Sequence, residues 1–304
     1  YLGRSAVAVN GTRGSVLEIG DLKKSKDGFG VFGNWGGQNF GSNLFNNQPV
    51  AYKTSAWTYS PLRYWPTEGH IDFLAYAPYD VNTALNTTLE EKMTSCINFT
   101  VENTVTKQKD LLWANAENQT KANNSGTKKV EFTFNHALAK IGYSLKQKEA
   151  YDKTTITVTS IKLVGSDTKG AFYSKGTIDL SKENNNKDLW TIGENVEKQN
   201  FDWFTGSAEL TTTAANNATD NDLFVIPQNF SETATDKLFV VVEYTVQTDG
   251  TAALKNKVTK PITANFLQGK AYTINLTIGL TPIEFDATVD TWENGITIPE
   301  IPMD

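Results

Sequence analysis

Apolar residues along this chain recur at a period of two, the spacing of a strand with one face buried. Val7 and Val9 alternate in SAVAVN, Phe29, Val31 and Gly33 in FGVFGNW, and Ile71, Phe73 and Ala75 in HIDFLAY. Val130, Phe132 and Phe134 form one face of VEFTFNHALAKIGYSL, which reads as one long strand continuing to Leu145. Ile156 and Val158 open TITVTSIKLVG, and further strands are expected in DLFVIPQ, KLFVVVEYTV, KAYTINLTI and IEFDATV. Val240, Val241 and Val242 run together, as in a strand buried on both faces. Turn residues separate these runs at Lys26-Asp27-Gly28, Gly36-Gly37, Asn124-Ser125-Gly126, Asp249-Gly250 and Asn294-Gly295. Helical periodicity is scarce; TTLEEKM, with Thr88 and Glu91 at capping-box spacing, predicts at most a turn or two. The expected fold class is all-β.

The chain has 304 residues, enough for two domains at about 100–200 residues each. The best boundary is ENQTKANNSGTKK, residues 117 to 129, which is rich in Asn, Lys and Gly between the apolar DLLWA and the Val130 strand. It divides the chain into 1–124 and 125–304; the other reading is a long hairpin loop inside one domain. ENNNKD (183–188) and TTTAANNATDND (211–222) read as surface loops.

Composition narrows the function. Formal net charge is −6, and no long basic run exists, which argues against nucleic acid and against electrostatic attachment to a membrane surface. No apolar stretch approaches the roughly 20 residues needed to span a bilayer. The chain starts at Tyr1 without Met, so an upstream segment is expected to have been trimmed away. One cysteine, Cys96, permits neither an internal disulfide framework nor a cysteine metal site. Abundant Asn, Thr and Gly fit an extracellular all-β chain with many turns. The N-x-[ST] sequons at Asn86, Asn98, Asn118 and Asn275 are the kind that arise by chance in such a composition.

Catalytic chemistry is nearly absent from the pattern. The two histidines, His70 and His136, have no second His at metal spacing, and His136 reads as a structural residue in a patterned strand. There is no nucleophile elbow, P-loop or dinucleotide fingerprint; GFGVFG reads as a strand and not as a phosphate cradle. Asp220 and Asp222 lack the remaining ligands of a calcium loop and read as solvated. No cofactor is expected. A paired-carboxylate hydrolase stays open only because such pairs are spatial.

Residues 57 to 66, WTYSPLRYWP, are the densest aromatic stretch. Trp57 and Tyr59 share one face of an extended segment that Pro61 ends, and Tyr64 and Trp65 point to opposite faces. Core packing is the favoured reading and a sugar- or protein-binding platform the alternative.

FGVFGNW, NLFNNQPVAY, WTYSPLRYWP and HIDFLAYAPY, in that order, resemble the first half of the fimbrillin-like proteins of Bacteroides-type bacteria, the subunits of type V pili. VEFTFNHALAKIGYSL and FLQGKAYTINLTIGLTPIEFDATVDTWENG, with Trp292, resemble the second half, so the likeness covers nearly the whole chain. It implies two tandem transthyretin-like, Greek-key β-sandwich domains and export as a lipoprotein precursor whose acylated Cys lies upstream. It also implies protease cleavage after an Arg, removal of the first strand, and entry of an extended strand from another subunit. Arg13, after the alternating Val7 and Val9, is the expected processing site. Arg4 would remove too little, and Arg63 is expected to be shielded by the aromatic cluster. The donor candidate is Gly295 to Ile301, with Ile296, Ile298 and Ile301 as plugs; its shortness and Pro299 depart from an ideal donor.

The resulting expectation is a non-enzymatic pilus subunit at the cell surface, whose partners are other pilus subunits. The alternative is a monomeric surface adhesin of the same fold, recognising a host glycan or protein through Trp57, Tyr64 or Trp65. A β-sandwich hydrolase is the third reading.

Overall fold

The computed structural model describes residues 16–36, 43–88, 90, 92–124, 129–166, 169–280, 284–291 and 295–297, the last two as backbone only. Val7, Val9, Arg13, Trp292, Ile298 and Ile301 lie outside the described residues.

The described chain opens with a short helix, α1 (Ile19–Lys24). Strands β1 (Phe29–Trp35), β2 (Phe45–Lys53), β3 (Ala56–Thr58) and β4 (Ile71–Ala77) follow. Next come β5 (Leu85–Thr87), β6 (Met93–Thr100), β7 (Leu112–Gln119) and β8 (Asn135–His136). The second half supplies β9 (Ala139–Gln147), β10 (Thr154–Val164), β11 (Phe172–Tyr173), β12 (Lys175–Asp179), β13 (Trp190–Thr191) and β14 (Lys198–Gln199). After these run β15 (Phe201–Glu209), β16 (Ala215–Asn216), β17 (Leu223–Val225), β18 (Gln228–Asn229) and β19 (Leu238–Thr248). The last are β20 (Leu254–Ile262), β21 (Asn265–Phe266), β22 (Lys270–Ile278), β23 (Glu284–Thr291) and β24 (Gly295–Thr297). The fold is all-β, as the period-two pattern predicts.

The strands build four main sheets. A six-stranded sheet runs β3-β2-β1-β4-β7-β8, and a four-stranded sheet β13-β12-β6-β5 shares its core. The other two are β15-β10-β19-β20 and β16-β9-β22-β23-β24, with β17 also on β9. β9 and β22 pair in parallel. Tyr143 on β9 meets Trp203 on β15 edge-on, with ring centroids 4.9 Å apart, joining these two sheets through their inner faces. Strands on both sides of residue 124 share sheets: β7 pairs β8, and β6 pairs β12 from Lys175↔Thr100 to Asp179↔Cys96.

Alternation sorts the side chains of the first sheet with little exception. Phe29, Val31, Ile71, Phe73, Ala75, Leu112 and Ala114 lie in one buried cluster. Phe32, Leu74, Tyr76 and Trp113, between them in sequence, join the large core that runs through the rest of the molecule. This sheet is therefore buried on both faces, and β1 is buried at every position from Phe29 to Asn34. Gly28 makes the approach to β1 possible. Its φ is +61°, and a Cβ there would lie 2.1 Å from the Val50 carbonyl oxygen.

Two sequence expectations are corrected. VEFTFNHALAKIGYSL is not one strand: 130–134 is unpaired, Asn135–His136 pairs β7, and β9 starts at Ala139. The cause is a change of parity, because Val130, Phe132 and Phe134 pack on one cluster whereas Ala137, Ala139, Ile141, Tyr143 and Leu145 pack on the other. Around Thr88, where at most a turn or two is expected, no helix occurs among the described residues; they close the β5–β6 connection, with Thr88 N donating to Lys92 O at 2.8 Å. Asp222 is not a solvated loop residue but is buried, with Lys140 Nζ at 3.3 Å and Asn217 Nδ2 donating to it at 2.8 Å. No helix among the described residues is long and apolar enough to cross a membrane.

Candidate functional site

The outer face of the six-stranded sheet needs cover, because it presents Phe29, Val31, Phe45, Val50, Ile71, Phe73, Leu112 and Ala114. Three pieces supply it in part. Helix α1 contributes the buried Leu22, residues 130–134 lay Val130, Phe132 and Phe134 across the face, and the 57–65 stretch adds Trp57, Tyr59 and Trp65. Phe29 is the hub, with ring centroids 5.0 Å from Trp57, 5.9 Å from Phe132 and 5.2 Å from Phe134.

The aromatic stretch starts on a tight hairpin. β3 pairs β2 with Lys53 opposite Ala56, leaving Thr54 and Ser55 as the two-residue loop, at φ +48° and +65°. Both central residues at positive φ are the signature of the turn whose twist matches paired strands. The hairpin sets Tyr52 opposite Trp57, with rings 5.2 Å apart. Tyr59 then stacks edge-on against Phe45 at 5.3 Å and Trp65 against Phe73 at 6.4 Å. Arg63 ties the loop down: Nε donates to Leu44 O at 3.3 Å, and a terminal nitrogen donates to Pro61 O at 3.2 Å. The residue is nonetheless exposed, contrary to the expectation that the aromatic cluster shields it.

These pieces do not close over the sheet. They leave a groove of about 540 Å³, floored by Phe29, Val31, Phe45 and Phe73 and walled by Trp57, Tyr59, Trp65 and Phe132. Trp57, Tyr59 and Trp65 are thus half-buried framework and groove wall together, whereas Tyr64 is 83% exposed and neighbouring Leu62 65%. Lys23, Arg63 and Lys129 also line the groove, and among the described residues no carboxylate does.

A buried polar cluster escaped the sequence reading. Asp110 precedes β7 with its side chain fully enclosed; its Oδ2 lies 2.7 Å from His136 Nδ1 and accepts the Leu17 N–H at 3.0 Å. Burial disfavours a charged His136, but the charge and hydrogen bond of Asp110, with Glu18 adding, outweigh it and raise its pKa. Burial raises the Glu18 carboxyl, against the opposing pull of His136. The Leu17–Asp110 bond and the packing of Val16 and Leu17 on the two clusters anchor these two residues. Only the reading of His136 as structural had a sequence signal; the partner, 26 residues away, had none.

Ile296 lies on β24, where Val289↔Ile296 pairs it back onto β23; Ile298 and Ile301, like Arg13, Val7 and Val9, are outside the described residues. No group of three or more His, Cys, Asp or Glu suited to a metal occurs among the described residues.

The comparisons with known proteins follow from this architecture. The fold is that of a crystal structure of a fimbrial protein from Bacteroides vulgatus, with a TM-score of 0.74, 22% identity, and coverage of 90% of this chain and 95% of that one. Residues 12–292 match the model of the fimbrillin-like family, and the chain belongs to that family. It is also 30% identical over 179 residues to the fimbrium subunit Fim1C of Phocaeicola vulgatus. That match takes in 50% of this chain and 45% of the relative, so the chain spans about half the length of the curated relative it matches.

Proposed function

We propose that this chain is a fimbrial subunit, exported to the cell surface from a lipid-anchored precursor and joined to other pilus subunits by strand donation. The observation that carries the reading is the family match across residues 12–292 on an all-β fold. Cleavage after Arg13 removes the segment bearing Val7 and Val9, and an extended strand from another subunit takes its place. Main-chain hydrogen bonds and alternating side chains drive that step, with no catalytic residue involved. The donor is the C-terminal segment with Ile296, Ile298 and Ile301. The anchoring of Leu17 by Asp110 supports a cut at Arg13, since the new N-terminus would be held close behind it.

Limited trypsin digestion of the folded protein tests this. A clean cut after Arg13 by intact mass, followed by SDS-resistant ladders on unboiled gels, is the expected result. Resistance at Arg13 with cuts only within 117–129 would sink the processing step. The exposed Tyr64 beside the groove favours a second reading, an adhesin module of the same fold that binds a host glycan or protein. In that case, a protein never cut at Arg13 retains its binding, and Tyr64→Ala abolishes it.

A further inference from the structure

We propose that the groove on the outer face of the N-terminal sheet is a binding site for an anionic amphiphile, a single molecule with an apolar body and a carboxylate-type head. This goes beyond the assembly reading and does not depend on it. The space, about 540 Å³, falls in the range of roughly 300–1,000 Å³ typical of small-molecule sites. Its floor and walls are aromatic and aliphatic, with Phe29, Phe45, Trp57 and Phe73 at the centre. A sugar would need a ring of donors and acceptors, and among the described residues the lining side chains offer, beside the three cations, only Ser55, the tyrosine hydroxyls and the indole N–H groups of Trp57 and Trp65.

Charge decides the class of ligand. The whole chain carries a net charge of −6, yet among the described residues every ionisable side chain other than tyrosine that lines this groove is cationic: Lys23, Arg63 and Lys129. Lys23 rises from the last turn of α1 with its ammonium 4.9 Å above the Tyr52 ring, and Arg63 is positioned by two backbone carbonyls. Neither Lys23 nor Arg63 forms an ion pair among the described residues, and their positive charge faces an apolar slot. An acyl chain would lie against the aromatic floor, and its head would meet these cations at the rim.

Calorimetric titration of the intact protein with laurate, dodecyl maltoside and dodecyltrimethylammonium, each below its micelle concentration, tests the inference. Laurate should bind saturably at one site, and roughly tenfold or more tighter than the neutral or cationic probe, the size of a charge-assisted contact. Lys23→Glu, at an exposed position, should remove that preference, while Lys24→Glu on the same turn but outside the groove should keep it. Thermal melts establish that both variants fold. Equal affinity for all three probes, or laurate binding indifferent to Lys23→Glu, overturns the proposal. Displacement of laurate by a synthetic peptide of residues 295–304 at comparable affinity also overturns it, because the groove then seats a strand of this chain.

Discussion

Trp113 shows how much a single residue carries. It is fully enclosed on β7, and its indole N–H donates to Lys182 O at 3.1 Å, a carbonyl that also accepts Asn115 Nδ2 at 3.1 Å. Trp113→Ala should therefore cost about 3–5 kcal/mol in urea unfolding, the range for deleting a large core ring. Trp113→Phe should cost about 1–2 kcal/mol less than that, because the carbonyl keeps its second donor. His136 sets a pH dependence. Its raised pKa means the folded state binds the proton more tightly than the unfolded chain. The contribution is full below the ordinary histidine value of ~6.5 and is lost as pH rises through the folded value. The groups facing it are Asp110, Glu18 and Lys140; Glu18, also raised, acts in the same direction from a lower pH. Melting the protein from about pH 5 to 8 should show a fall in stability that His136→Asn flattens above ~6.5. An unchanged slope in the variant would place the linkage elsewhere.

Elements are shaped as much by what they exclude as by what they bury. β20 is the outer strand of its sheet, and Lys255 and Lys257 point outward along it. Charged side chains on a free edge discourage pairing with another chain. Replacing both lysines with Val should generate higher-order species in size-exclusion chromatography, with the monomer otherwise folded. The β2–β3 hairpin carries the opposite kind of feature, since Thr54 and Ser55 both hold positive φ without being Gly or Asn. Ser55→Gly should raise stability by about 1 kcal/mol, the order of the left-handed penalty for a residue with a side chain. β10 shows a register device: Ile156 and Val158 face the core, then Ile161 and Leu163 do so after a shift of pairing between Val158 and Ser160. The bulge lets one strand change parity without turning apolar side chains outward.

At the scale of the molecule, the two halves are interlaced. Because β6 pairs β12 and β7 pairs β8, sheets close across the polar segment at 117–129. A protease site inserted within 125–128 and then cut should leave both fragments eluting together at the intact mass, separating only in denaturant. Independent migration under native conditions would instead favour self-contained units at 1–124 and 125–304.

The sequence by itself determined the strand character of the chain, because a period of two needs no knowledge of the partner strand. Phe29, Val31, Ile71, Phe73 and Ala75 could be assigned to one face from spacing alone, and the ordered motifs carried the family likeness. Strands poor in apolar residues, such as β20, left no such trace, nor did α1, whose single buried residue is Leu22. Which face of the first sheet met what was decided only in three dimensions. WTYSPLRYWP could be read as core or as platform, and folding made it both, since α1 and residues 130–134 cover the sheet but stop short of closing it. The Asp110–His136 pair and the cationic lining of the groove likewise depend on residues far apart in sequence, brought together by strand pairing that no local pattern encodes.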